Sequence, residues 1–203
     1  MRLFWKLFSR FFVVPWFRLG LGPFFGNPVT GYVMVLRTTG RNSGRVRDAP
    51  TVYAMAGGSV YCLAGYGRST DWFQNAIAAR DVSLVLPGGA ISGQVEEVED
   101  AAERLTAIRQ IFRNSGLMGF TEGFNPFLAS DETIRSKTAD MPVLRIRPTG
   151  IAGGASDPGG RAWIWVPILV GAAVVVVAVG RLPLSSLAAS RRSAYGSWKV
   201  PKN

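Results

Sequence analysis

The chain has 203 residues and carries 23 Lys+Arg against 13 Asp+Glu, a net charge of +10 that suits an anionic partner: nucleic acid, an anionic membrane surface or an anionic cofactor. It contains no histidine, which removes the commonest general base, the commonest metal ligand and every Ser-His or Cys-His nucleophile pair. Its single cysteine, Cys62, excludes an internal disulfide and a cysteine-rich zinc site, and its apolar setting (VYCLA) reads as a small buried hydrophobe.

Residues 1–26 are rich in Phe and Trp, with Arg2, Lys6 and Arg10 four apart on one helical face. This reads as a basic amphipathic helix ending near Pro15, suited to a membrane interface or to packing on its own domain. A signal peptide fits poorly, because Lys6 and Arg10 interrupt the apolar run.

From residue 29 the pattern changes to short β-rich runs separated by glycine turns. VTGYVMVLRTT is a first strand, GRNSG a turn, and RVRDAPTVYAM a second strand whose Pro50 suggests an edge or a bulge. AGGS turns the chain into VYCLAGY. STDWFQNAIAAR is helical by spacing, with Ser69, Thr70 or Asp71 available as its cap. VSLVLPGGAISGQVEEV predicts a hairpin about Pro87-Gly88-Gly89, and EDAAERLTAIRQIFRNSG a helix with Leu105, Ile108, Ile111 and Phe112 on one face. A loop rich in Gly and Phe, GLMGFTEGFNPFL, and a short helical piece precede a last strand, MPVLRIRP. A meander of strands interrupted by two or three helices predicts an α+β fold, a small and mostly antiparallel barrel of about six strands.

Residues 149–161 read as a Gly-rich linker. Then 19 uncharged residues lie between Arg161 and Arg181, close to the ~20 a bilayer span needs, with Trp163 and Trp165 at one end. The expectation is a transmembrane helix over 162–180 and a basic, disordered tail over 181–203. The domain is expected on the cytoplasmic face, membrane-associated and in contact with lipid.

Three elements carry chemistry. The stretch RTTGRNSGRVR (37–47) places four arginines and two glycines in one turn. It suits a solvated hairpin tip or a cradle for an anion, because a glycine turn can present its N–H groups and Arg forks clamp phosphate. DWFQN (71–75) opens a helix, where free N–H groups favour an anion or a ring carbonyl. VYCLAGYG is a strand that ends in a glycine turn just before that helix.

In this order, VLRTTGRNSGRVRDAP (35–50), VYCLAG (60–65), DWFQN and the closing strand MPVLRIRP resemble the deazaflavin-dependent nitroreductase family, over roughly residues 29–148. The resemblance implies a split β-barrel over 27–148 and the factor-420 deazaflavin coenzyme, a hydride carrier with a phosphate and an oligoglutamate tail. It implies that Arg41, Asn42 and Ser43 hold that tail. Arg47, Asp48, Ala49, Pro50, Thr51 and Val52 would line the cofactor along the second strand. Leu63, Ala64 and Gly65 would approach the ring, and Asp71, Trp72, Phe73, Gln74 and Asn75 would close the site.

The sequence departs from the family's pattern in three places. Asn42 stands where many relatives have Lys, the segment between the strand end and DWFQN is short (GYGRST), and the loop before the last strand offers phenylalanines but no tyrosine. No catalytic residue is therefore assigned; Tyr66, at the strand end, is the one candidate proton donor. The function implied is hydride transfer from reduced deazaflavin to a lipophilic quinone or nitro compound at a membrane. The other readings are a non-catalytic barrel that binds a cofactor or lipid, and an FMN-dependent relative. A nucleic-acid binder would explain the charge but not the apolar span. No metal is expected, and a homo-oligomer is left open.

Overall fold

The computed structural model describes residues 12–19, 21–87, 89–121, 123–152 and 165–180. The chain divides into two compact units, Met1–Ala162 and Trp163–Asn203.

The first unit is built on β1 (Gly26–Asn27), β2 (Gly31–Thr39), β3 (Val46–Ala56), β4 (Ser59–Leu63), β5 (Asp81–Leu86), β6 (Gly89–Glu97) and β7 (Val143–Ile151). Its helices are α1 (Val14–Arg18), α2 (Asp71–Ala79), α3 (Ala101–Arg113) and α4 (Asp131–Lys137). The sheet runs β1-β2-β3-β4-β7-β6-β5, all antiparallel, and β5 pairs back onto β2 through Leu36↔Leu84. Six strands thus close into a barrel, with β1 as a short appendage on β2. Closure leaves no free sheet edge around the ring.

Alternation along the strands sorts the side chains. Met34, Leu36, Val60, Cys62, Val82, Leu84, Val95, Leu144 and Ile146 fill the interior, and Phe73 and Ala76 of α2 pack with them. On the outer wall, α3 lays Ala107, Ile108, Ile111 and Phe112 against Ala54, Tyr61 and Val143. On another part of that wall, Val13, Val14 and Phe17 cover Val35 and Val85. The described part of the N-terminal helix therefore buries its apolar side on its own barrel; the rest of that element, residues 1–11, lies outside the described residues.

Local signals account for the element ends. Asp100 caps α3, its carboxylate accepting from the Glu103 amide at 2.7 Å. Thr70 is the N-cap of α2 by position, but its hydroxyl donates to the Gly67 carbonyl at 2.7 Å instead of capping the helix. Pro50 sits opposite Val35, and the β3–β4 register begins only at Tyr53. At Pro50 the strand is therefore paired on one side, which is where a proline is tolerated.

Two expectations need correction. The expected architecture of a split barrel plus a C-terminal transmembrane helix gives way to a closed six-stranded barrel, with no such span among the described residues. The second unit holds one described helix, α5 (Trp165–Gly180), of 16 residues. That is short of the ~20 needed for a bilayer, and among the described residues no helix is long and apolar enough to cross a membrane. The expectation of a span rests on 19 uncharged residues standing together, of which the described helix takes in 16. The membrane placement that rested on the span loses that support. The expected linker also begins late, since residues 149–151 belong to β7. Residues 153–164 and the tail 181–203 lie outside the described residues.

Candidate functional site: an arginine-rich hairpin tip held against a helix start

The β2–β3 connection, residues 40–45, is the tip of the longest hairpin. Gly44 has φ +62°, which a side chain rarely adopts, and a Cβ on Gly40 would meet Ser43 Oγ at 2.9 Å. Gly44 is thus favoured by its left-handed backbone, and Gly40 by the closeness of Ser43 Oγ and the Arg45 carbonyl. The loop's own amides are largely spent. Gly40 N–H donates to Arg45 O at 2.9 Å, Ser43 and Gly44 N–H both donate to Gly40 O, and Arg45 N–H reaches Ser43 Oγ at 3.4 Å. An open nest of backbone N–H groups is therefore not what this tip presents. It presents side chains.

The four arginines of the tip have different fates. Arg37 donates from Nε to Asp48 Oδ1 at 2.8 Å, directly across the β2–β3 ladder. Asp48, expected to line the cofactor, is therefore engaged in a structural ion pair. Arg41 is tied to α2: its amide N–H donates to Asn75 Oδ1 at 3.2 Å, and its Nη1 donates to the same oxygen at 3.0 Å and to the Asp71 carbonyl at 3.4 Å. Its Nη2 also lies 3.5 Å from an Asp71 carboxylate oxygen. Arg45 and Arg47 are exposed, and neither has a carboxylate partner among the described residues.

Asn75 is the hinge of this arrangement. It is only 5% exposed, and a buried amide must find partners. Its carbonyl finds two on one residue of the loop, so a helix residue sets where the tip stands. The spacing of DWFQN explains how. Phe73 and Ala76 point into the barrel core, Trp72 packs partly against it, and Asn75 is carried round to the loop. Gln74 faces outward, its amide donating to the Arg68 carbonyl at 3.2 Å.

The remaining sequence-predicted residues divide by burial. Ala64 is buried, its N–H donating to the Pro142 carbonyl at 3.0 Å, whereas Gly65 is exposed with open space where a side chain would stand. Leu63, Ala49, Pro50, Thr51 and Val52 are half-buried, and Asn42 and Ser43 are exposed. Thr51 Oγ1 lies against the neighbouring Val52 carbonyl at 3.4 Å. Tyr66 is 45% exposed. The structure therefore brings the hairpin tip together with the start of α2, and runs the β4 end into α2 through residues 64–70.

Sequence reasoning missed two features. Thr38 Oγ1 is fully buried, on the residue opposite Arg47, and has no hydrogen-bond partner among the described residues. Arg45, never singled out, is as open as Arg47; its place in the same turn was the available signal. Cys62 is buried, and burial pushes its thiol up to about 12, so it stays protonated and inert.

Two open clefts lie elsewhere. One, of about 500 Å³, is lined by Glu96, Glu97, Glu99, Asp100 and Glu103 with Arg80 and Arg145. The other, of about 310 Å³, lies between Gly67-Arg68 and residues 139–142. Neither contains a residue expected in the site. Five carboxylates in the larger cleft would repel an anion, so charge selects the hairpin tip over the larger hollow.

Comparison with known proteins bears on the family of the chain. No curated protein matches the chain. Solved structures with a general likeness include an F420 reductase (19% identity over 62% of this chain and 91% of that one, TM-score 0.41). An F420-H2 dependent reductase follows at 19% over 57% and 93%, TM-score 0.38. The heme storage protein HutZ of Vibrio cholerae shares 16% over 68% and 88%, TM-score 0.41. Likenesses this distant add nothing on activity. The family model does, because its match to residues 19–116 takes in the hairpin tip, the β4 end and α2 together. That match assigns the segment to the F420H(2)-dependent quinone reductase family, deazaflavin-dependent oxidoreductases whose coenzyme is factor 420.

Proposed function

We propose that this chain transfers hydride from reduced factor 420 to a lipophilic, quinone-like acceptor, and that the arginine-rich tip holds the coenzyme's phosphate and glutamate tail. The observation that carries the reading is the pair Arg45 and Arg47. These are exposed guanidinium groups without carboxylate partners among the described residues, on a loop whose position Asn75 sets. That donor set fits the coenzyme: a multiply charged tail needs cations, and guanidinium forks match phosphate and carboxylate.

Arg47 and Arg45 would clamp the tail, Arg41 would add a third cation, and Ser43 and Asn42 would add polar contacts from the exposed tip. The open backbone at Gly65 would let a flat ring approach the β4 end, with Leu63 and Val52 as its apolar neighbours. The coenzyme supplies the hydride; the chain orients the ring and excludes water. Such a transfer requires no histidine, in keeping with a chain that has none. A lipophilic acceptor is supported by exposed apolar side chains on the loop after α3, among them Leu117, Phe120, Phe127 and Leu128.

The test is a fluorescence titration of the full chain with factor 420 and, in parallel, with FMN. Saturable binding of the deazaflavin, followed by quinone-dependent oxidation of its reduced form, is the expected result. Failure to bind the deazaflavin overturns the reading, and tight FMN binding in its place would assign the chain to flavin chemistry.

A further inference from the structure

Of Arg41, Arg45 and Arg47, Arg41 alone meets a carboxylate among the described residues. Asp71, the first residue of α2, faces its guanidinium at 3.5 Å. The acid's side chain is 76% exposed, so packing does not hold it there. Its only other described role is a negative charge in the first turn of α2, a helix whose Thr70 cap makes no side-chain hydrogen bond. Arg41 is held differently. Asn75 and the Asp71 carbonyl fix its guanidinium through Nη1, leaving Nη2 toward the carboxylate.

From this geometry we propose that Asp71 is a built-in stand-in for the ligand's anion. It occupies the anion position on Arg41 in the free protein and must be displaced when a phosphate or carboxylate of the coenzyme tail arrives. The inference rests on the proposed function and deepens it by naming the residue that limits affinity at the tail site. An exposed ion pair is weak and screened by salt, so a multiply charged ligand can displace it. Until displaced, the carboxylate cancels one of the three cations that would draw the tail in. The pairing keeps Arg41 aimed at the site while its charge is offset.

The experiment is a double-mutant cycle on coenzyme affinity, read by fluorescence titration of the full-length chain at low and high ionic strength. Asp71→Asn keeps size and polarity and removes the charge. It is expected to tighten factor-420 binding about two- to fivefold at low salt, with the gain shrinking as salt rises. In an Arg41→Ala background the same substitution should give no gain. A contribution made only through the helix dipole would persist there, so persistence of the gain overturns the inference. Asp71→Asn binding equally or more weakly than wild type also overturns it, provided the wild type binds the coenzyme and Arg47→Ala weakens that binding. If the wild type does not bind the coenzyme, or binds it without regard to Arg47, the proposed function fails and this inference fails with it.

Discussion

Two groups of arginines sit on the same barrel and are used in opposite ways. On the wall formed by β4, β6 and β7, Arg145 donates from Nε to Glu96 at 2.6 Å and from Nη1 to Glu103 at 2.7 Å. Tyr61 donates its hydroxyl to the same Glu103 at 2.8 Å, and Arg147 lies 2.9 Å from Glu96. Arg68 pairs with Glu97, and Arg109 with Asp131. There the charges balance locally, and the network fastens α3 to the sheet. On the β2–β3 tip, Arg45 and Arg47 have no such partner among the described residues. Folding alone gives no reason to gather like charges in one turn, where they repel. An unbalanced cluster beside a balanced one marks where an outside anion is expected.

The contrast is broken most directly by truncating one arginine from each group. Arg47→Ala should weaken factor-420 binding by about 1.5–3 kcal/mol, the range for hydrogen bonds to charged groups, and leave thermal unfolding nearly unchanged. Arg145→Met should do the reverse. It removes the bonds to Glu96 and Glu103, both part-exposed, and should lower stability by about 1–2 kcal/mol after solvent screening while coenzyme affinity stays the same. Paired titrations and chemical denaturation read both. A loss of affinity in Arg145→Met, or a loss of stability in Arg47→Ala, would erase the distinction between the two groups.

The sequence carried one side of this contrast better than the other. Glycine turns and β-rich runs made the strands legible, and the periodicity of Ile108, Ile111 and Phe112 made α3 legible, because these signals are local. Arg41, Asn75 and Asp71 were each visible as candidates, but the bonds among them join residues 30 or more positions apart. No periodicity encodes such a meeting. Which strands close the expected barrel, β5 on β2, was hidden for the same reason. The pairing of Asp48 with Arg37, set by its cross-strand position, was likewise not legible from the motif. The C-terminal run misled in another way, since 19 uncharged residues are a composition, whereas the helix described over them has 16 residues.

Beneath the open tip, Thr38 sharpens the comparison at the level of a single atom. Its hydroxyl is buried without a partner among the described residues, whereas Ser115 and Thr138, also buried, each donate to a helix carbonyl at 2.7 Å. A buried polar group without a partner is costly. Thr38→Val, which keeps the shape, should therefore stabilise the protein by about 1 kcal/mol. A destabilised variant in urea unfolding would show that the hydroxyl is bonded in solution.

The balanced wall makes the last and smallest prediction, in its response to pH. The hydrogen bond from Arg145 holds the Glu96 carboxyl below its usual value of 4.5, with the charges of Arg145 and Arg147 adding to it. A carboxylate depressed in the folded state adds stability above its unfolded value, and that stability is lost as pH falls through the folded value. Tyr61 acts at the other end of the scale. Burial first, and then Glu103, raise its hydroxyl above 10, so its contribution is complete below pH 10 and declines as pH rises past that point. Stability against urea should therefore fall at both extremes. Arg145→Met should flatten the acid limb, because Glu96 would lose the bond that holds its proton off. Arg47→Ala should leave both limbs as they are, since the tip holds no carboxylate with Arg47 as its partner. Equal flattening in the two variants would mean that the acid response belongs to the net charge of the chain and not to the paired wall.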